Sequence, residues 1–269
     1  QLLDGEEERW DAQNLLDYWA KHLLRHEQMT LDATLQPFDQ QQSPELSDDL
    51  CPYVGLEPFR GSKQALFFGR DSIINKMVQN LQASQLLSVI GSSGSGKSSI
   101  VLAGLLPRLQ NGAIAGSDDW FFCQRVVPGS NPLANLARLF QPPTIDTLGW
   151  IAQAVPRFQK DSGYLAHLVR KKMIDQYGKE KTAVFLIDQF EELFSLCLSP
   201  SQLIAFIQNL LTLLGQANVR HRLILTMRTD FESSLVQYVE FNTAYENSQL
   251  RLTAMTAAHL RDAIEKPAD

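Results

Sequence analysis

The stretch "LLSVIGSSGSGKSSIVLAGLLPRL", residues 86–109, decides the fold. An apolar run reads as a buried strand; a burst of glycine and serine follows, then one lysine, then apolar residues at helical spacing. Gly91, Ser92, Ser93, Gly94, Ser95, Gly96, Lys97 and Ser98 spell G-x-x-x-x-G-K-[ST] between strand and helix, the setting this motif requires, with Ser99 carrying the chain into the helix. Glycines let the backbone turn tightly enough to aim its N–H groups at phosphate, and the helix N-terminus adds partial positive charge. Lys97 is expected to reach the β- and γ-phosphates, and the Ser98 hydroxyl to enter a magnesium shell. The motif implies a triphosphate held with Mg2+. It does not say whether that nucleotide is turned over, used to phosphorylate a substrate, or kept to hold a shape.

Magnesium needs a second anchor across the phosphates, so the loop predicts another strand ending in an acid. "AVFLIDQFEELF", residues 183–194, supplies Asp188, which is expected to hold the metal through a bound water. Glu191 and Glu192 follow at the start of a helical stretch; either could orient attacking water, or both could simply favour a helix N-terminus. Gln189 stands where many hydrolytic enzymes of this kind carry an acid. An amide positions water but is a poor base, so slow or displaced chemistry is expected. A further strand ends "TMRTDF", which brings Arg228 to the carboxyl edge of the sheet, where it could touch the γ-phosphate or form a salt bridge. Thr226 is a secondary candidate, and Asp230 reads as a cap for the helix that follows.

Outward from these motifs, short apolar runs alternate with amphipathic stretches, the pattern of an α/β protein with a central, mostly parallel five-stranded sheet flanked by helices. The expected strands are 86–91, 120–127, 182–188, 222–228 and a weaker 248–255, with 182–188 and 222–228 central and buried on both faces. Helices are expected at 98–109, 132–140, 201–216 and 256–266. Residues 1–50 read separately: Trp10, Leu16, Trp19 and Leu23 lie about a helical turn apart, and a linker rich in Pro, Gln, Ser and Asp follows. The nucleotide domain is therefore placed at 51–269.

The 269 residues carry a formal net charge of -6, which gives no electrostatic reason to expect nucleic-acid binding. Three scattered cysteines without a CxxC pair favour a reducing cytoplasm over a disulfide frame or zinc site. No apolar run approaches the roughly 20 residues that span a bilayer.

Together with "CPYVGLEPFRGSKQALFFGRD" upstream, the segments "GSSGSGKSS", "LIDQFEELF", "LTMRTDF" and "AIEKPAD" resemble the novel STAND NTPases, signal-transduction ATPases related to AAA+ and NACHT proteins. The resemblance runs from about Cys51 to Pro267. It implies that Phe68, Gly69 and Arg70 lie near adenine and ribose, with Asp71 where Glu is usual, and that Arg228 serves as sensor 1. It also implies that Glu191 and Glu192 take part in hydrolysis and that Pro267 contacts the base, although the Gly of the usual G-x-P segment is missing. Further implications are an ATP/ADP cofactor, self-association on activation, a winged-helix and repeat region beyond residue 269, an upstream effector domain and a bacterial signalling or defence role. The chain is then expected to be a fragment of a cytoplasmic parent.

Three functions remain compatible with these residues. They are an ATP-binding switch with slow hydrolysis, a nucleotide-stabilised scaffold with negligible catalysis, and an AAA+-like motor. The motor wants an arginine finger, for which Arg108, Arg125 and Arg251 offer no spacing argument.

Overall fold

The computed structural model describes Phe59 and residues 65–267. The aromatic helix and linker expected in residues 1–50, and Cys51, lie outside the described residues. Five parallel strands form one sheet: β1 (Leu86–Gly91), β2 (Phe121–Phe122), β3 (Ala183–Ile187), β4 (Arg222–Arg228) and β5 (Gln249–Arg251), in the order β2-β3-β4-β1-β5. The helices are α1 (Asp71–Ala83), α2 (Lys97–Ser99), α3 (Leu106–Gln110), α4 (Pro132–Arg138), α5 (Thr147–Lys160), α6 (Tyr164–Tyr177), α7 (Glu192–Ser195), α8 (Pro200–Leu214), α9 (Val239–Glu246) and α10 (Ala257–Glu265).

The central strands are apolar along their whole length because both faces are covered. In β3, Ala183, Phe185 and Ile187 enter one core while Val184 and Leu186 enter the other; in β4, Leu223, Leu225 and Met227 divide from Ile224 in the same way. This is the strand period of two feeding two helical layers. The first core is covered by α4, α5, α6, α8 and α9, the second by α1 and the helical run after the phosphate loop. Asn209 of α8 knits the first layer from inside. Its Nδ2 donates to the carbonyls of Phe158 at 2.9 Å and Ala205 at 2.8 Å, and its Oδ1 accepts from the Leu165 N–H at 3.1 Å.

The strand expectations hold for β1 and β4 and are corrected at the sheet edges. Regular pairing in the expected 120–127 strand covers only β2, with a lone bridge from Val126 to Ile187. Cys123 N–H bonds to the Val184 carbonyl but Val126 N–H to that of Leu186, so three residues on one side span two on the other. That extra residue is a bulge, and it ends the strand. At the other edge, β5 is three residues, because the chain leaves β1 after Leu252 N–H bonds to Ile90. The single helix expected over 98–109 is also divided: a π-helical run, Ile100–Leu105, joins α2 to α3. Pro107 has no N–H, and its ring clashes with the carbonyl four residues back, so the turn before it widens. Helices α5 and α6, not among the expected ones, supply Trp150, Phe158, Tyr164 and Leu168 to the first core.

Because β4 separates β1 from β3, the connections leaving the carboxyl ends of these three neighbouring strands open over a common crevice. The residues singled out from Gly91 to Ser98, from Asp188 to Glu192 and at Arg228 lie there.

Candidate functional site

At the end of β1 the loop folds back on the strand. A Cβ on Gly91 would sit 2.6 Å from Ser95 Oγ, so a side chain there would push the loop outward. Gly94 and Gly96 turn it with φ of 73° and 86°, in the left-handed region. Lys97, only 8 % exposed, curls under the loop, its Nζ donating to the carbonyls of Gly91 at 3.0 Å and Ser92 at 2.7 Å. Burial draws its ammonium below the ordinary value; Glu191 and Asp188 work against that shift and Arg228 adds to it. Ser92, Ser93, Gly94 and Gly96 face solvent, and Ser98 and Ser99 are half-buried on the first helical turn.

Asp188 follows β3 and is fully buried. Its Oδ1 accepts from Ser98 Oγ at 2.8 Å and from Thr226 Oγ1 at 2.5 Å, which joins the phosphate loop, β3 and β4 through one oxygen. Its Oδ2 accepts no hydrogen bond and lies 3.1 Å from Arg125 Nε as an ion pair. No spacing in the sequence gives Arg125 a role; the bulge after β2 carries it to this carboxylate. Arg108 pairs instead with Asp71 and Asn75, and Arg251 with Glu232.

Gln189 has φ of 55°, and among the described residues it is the one non-glycine residue with positive φ. Its exposed side chain turns away from the core while its N–H donates to Thr226 Oγ1 at 3.0 Å. The tight turn then drives Phe190 into the core, stacked on Phe241 with ring centroids 5.3 Å apart. Glu191 is thereby returned to β4, where its Oε2 accepts the Arg228 N–H at 3.3 Å. Burial raises its carboxyl above the ordinary value, and the backbone hydrogen bonds pull the other way. Glu192 opens α7 with its Oε2 facing Gly129. The two acids, equivalent in sequence, thus face different neighbours.

Arg228 makes a two-pronged contact with Asp230, Nε to Oδ1 at 3.1 Å and Nη2 to Oδ2 at 2.5 Å, and lies over the Phe231 ring. This corrects the expectation for Asp230. It does not cap a helix; the chain from Thr229 to Leu235 is 3-10 helical, and the carboxylate reaches back to the guanidinium.

A magnesium nucleotide fits these residues on three observations. Ser95 Oγ is buried on the loop without a partner. The Lys97 ammonium is satisfied only by carbonyls of its own loop, and one oxygen of the buried Asp188 accepts no hydrogen bond. Among the described residues no group of three or more His, Cys, Asp or Glu could hold a metal unaided, and magnesium bound through one hydroxyl, one carboxylate and phosphate needs none. A cavity of about 650 Å³ lined by Phe140, Trp150, Arg157, Tyr164 and Lys171 shares no residue with this site.

Comparison with known families agrees with this geometry: the model of novel STAND NTPase 1 matches residues 52–269. The chain belongs to this family. It is a nucleotide-binding P-loop NTPase, and no curated protein matches it.

In this STAND NTPase the segment before α1 meets the end of the chain. Gly69, at φ 81°, is packed so closely that a Cβ would lie 2.4 Å from the His259 carbonyl of α10. Arg70 donates to the Thr253 carbonyl at 2.8 Å and the Ser95 carbonyl at 3.4 Å, linking the segment after β5 to the phosphate loop. Lys266 Nζ lies 5.9 Å from the Phe68 ring centroid, and Pro267 is buried. The segment from Phe68 to Arg70 is thus joined both to α10 and its C-terminal end and to the phosphate loop.

Solved structures with a similar fold include the Aeropyrum pernix ORC1 protein in complex with DNA (15 % identity, TM-score 0.45, 75 % of this chain and 50 % of that one) and the Aeropyrum pernix ORC2 protein in ADPNP-ADP complexes (14 %, 0.48, 78 % and 53 %). Drosophila ORC bound to DNA matches at 14 % identity and TM-score 0.47 over 96 % of this chain and 58 % of that one. The chain spans little more than half the length of these structures. Among the described residues no helix is long and apolar enough to cross a membrane.

Proposed function

We propose that this NTPase is an ATP-operated switch: it binds ATP with Mg2+, hydrolyses it slowly, and changes conformation and self-association with the nucleotide held. The observation that carries this reading is the placement of Arg228. Its backbone N–H is tied to Glu191 and its guanidinium to Asp230 at the rim of the crevice, so approach of a γ-phosphate offers it a second anionic partner. A guanidinium with two partners gives the protein two states to choose between.

In the proposed chemistry Lys97 and the loop N–H groups hold the phosphates, and Ser98 and Asp188 hold the magnesium, which neutralises phosphate charge when bound. Glu191, a buried carboxylate with a raised pKa, positions attacking water and takes up its proton. Gln189 contributes no base, in keeping with slow turnover. Phe68, Gly69 and Arg70 flank the base and ribose, and Pro267 contacts the base. Arg70 transmits the state of the loop, through Ser95 and Thr253, toward α10. In the parent protein an effector and a repeat region would read that state, in a bacterial cytoplasm.

Swinging a population from 1:99 to 99:1 needs roughly 5.5 kcal/mol of differential affinity between the two shapes. Light scattering and hydrogen exchange with ATPγS and with ADP test the reading. A switch shows different assembly and different protection of α10 in the two states, and Arg228→Ala erases the difference while both nucleotides still bind. Identical behaviour in both nucleotides refutes it and leaves the scaffold; rapid turnover by wild type leaves the motor.

A further inference from the structure

We propose that Arg125 is the resident counter-ion of Asp188, holding the carboxylate until magnesium takes it, and so sets the affinity of the site for metal. The inference rests on the reading of Asp188 as the metal acid.

Asp188 is wholly buried, and an ionised carboxylate so placed is costly unless a cation or several donors compensate it. Its two oxygens are served differently. Oδ1 takes the Ser98 and Thr226 hydroxyls, both neutral. Oδ2 has no hydrogen bond, and the positive charge paired with the carboxylate is Arg125, 3.1 Å away. The guanidinium of Arg125 is therefore the paired counter-charge on Oδ2, with the Lys97 ammonium adding a weaker attraction, and the pair carries no hydrogen bond that would have to be broken for Arg125 to leave. Its side chain is 26 % exposed, so it has a path to solvent.

The backbone explains why this arginine is available. The bulge between Cys123 and Val126 interrupts the alternation of side chains after β2, and pairing resumes where Val126 N–H bonds to Leu186 and the Val126 carbonyl accepts from the Asp188 N–H at 2.8 Å. Arg125 and Asp188 are thus carried on adjacent, mutually bonded backbones. A divalent ion at Ser98 and Asp188 would repel a guanidinium at that distance, and Arg125 yields the carboxylate to it. Metal binding then works against the Arg125 ion pair. Removing the arginine should tighten metal binding, whereas removal of a purely structural residue would weaken it or leave it unchanged.

The test titrates Mn2+ into this chain with saturating ADP, reading free Mn2+ by electron paramagnetic resonance. Arg125→Gln is expected to bind Mn2+ at least about tenfold more tightly, a factor equivalent to ~1.4 kcal/mol, while Arg125→Lys stays near wild type. Unchanged or weaker Mn2+ binding by Arg125→Gln overturns the proposal, as does a loss of ADP affinity, which would make Arg125 a nucleotide ligand. If Arg125→Gln does not fold, adding Asp188→Asn removes the uncompensated charge and should restore folding; a double variant that still fails to fold overturns the proposal. Failure of the underlying reading looks different: wild type and Asp188→Asn would then bind Mn2+ equally.

Discussion

Replacing Thr226 by Val keeps the shape of a fully buried side chain and deletes only its hydroxyl. That hydroxyl donates to Asp188 Oδ1 and accepts from the Gln189 N–H. Losing a hydrogen bond to a charged group costs about 1.5–3 kcal/mol, and stranding a half-buried N–H adds roughly 1 kcal/mol. The carboxylate keeps Ser98 and Arg125, so the lower end is the better estimate, about 2.5 kcal/mol in all. For a domain of this size each kcal/mol moves the melting temperature by roughly 2–4 °C, which makes the expected loss ~5–10 °C. Urea and thermal unfolding in EDTA read it directly, with Thr226→Ser as the control that keeps both bonds. A Thr226→Val protein within about 0.5 kcal/mol of wild type, the range of an inert surface change, would show that the hydroxyl does not organise the turn.

Further outcomes at three residues follow from the same geometry. Burial raises the Glu191 carboxyl, so its ionised form costs stability in the folded state; Glu191→Gln should be more stable than wild type at neutral pH, and the gain should vanish as pH falls below the ordinary carboxylate value. The same variant should lose roughly 10² or more of any ATPase rate, measured by phosphate release, if Glu191 is the base. His221 shows the opposite sign. Burial depresses it from 6.5 to about 4 while its Nδ1 accepts the Ala183 N–H, so stability is full above pH 6.5 and declines by about 3 kcal/mol as pH drops toward 4. His221→Asn, which retains an acceptor at that position, should flatten that slope in urea titrations at successive pH values. Gly69→Ala should add ~1–2 kcal/mol of left-handed strain and push on the His259 carbonyl, so amides of α10 should exchange faster by mass spectrometry while those of β3 and β4 do not.

The sheet was largely legible because its central strands are apolar without interruption and its phosphate loop has a spelling and a setting that few other structures share. β1 and β4 end where the sequence places them, at Gly91 and Arg228. The edges were not legible. The bulge after Cys123 is made of ordinary strand formers, and nothing local distinguishes "FFCQRVV" with one residue slipped from the same string in register. The π-helical run was marked only by Pro107. At the candidate site, Lys97, Ser98 and Asp188 could be singled out from spacing because phosphate and magnesium chemistry would constrain residue types, and the structure brings Ser98 and Asp188 into contact. Glu191 and Glu192 could not be told apart, since the choice depends on a positive φ at Gln189 that a non-glycine residue does not advertise.

The sequence by itself determined the strand–loop–helix of P-loop spelling, the acid that ends a second apolar strand, and the apolar periodicity that requires a doubly covered sheet. These are local properties of residue type and spacing. The tertiary structure alone decided which charges meet: Arg125 on Asp188, Arg228 on Asp230, Arg70 between Ser95 and Thr253, and Glu191 rather than Glu192 against β4. Charged side chains are long and nearly interchangeable in a sequence, and which partner each finds depends on strand order, register and a single inserted residue, none of which a local pattern encodes.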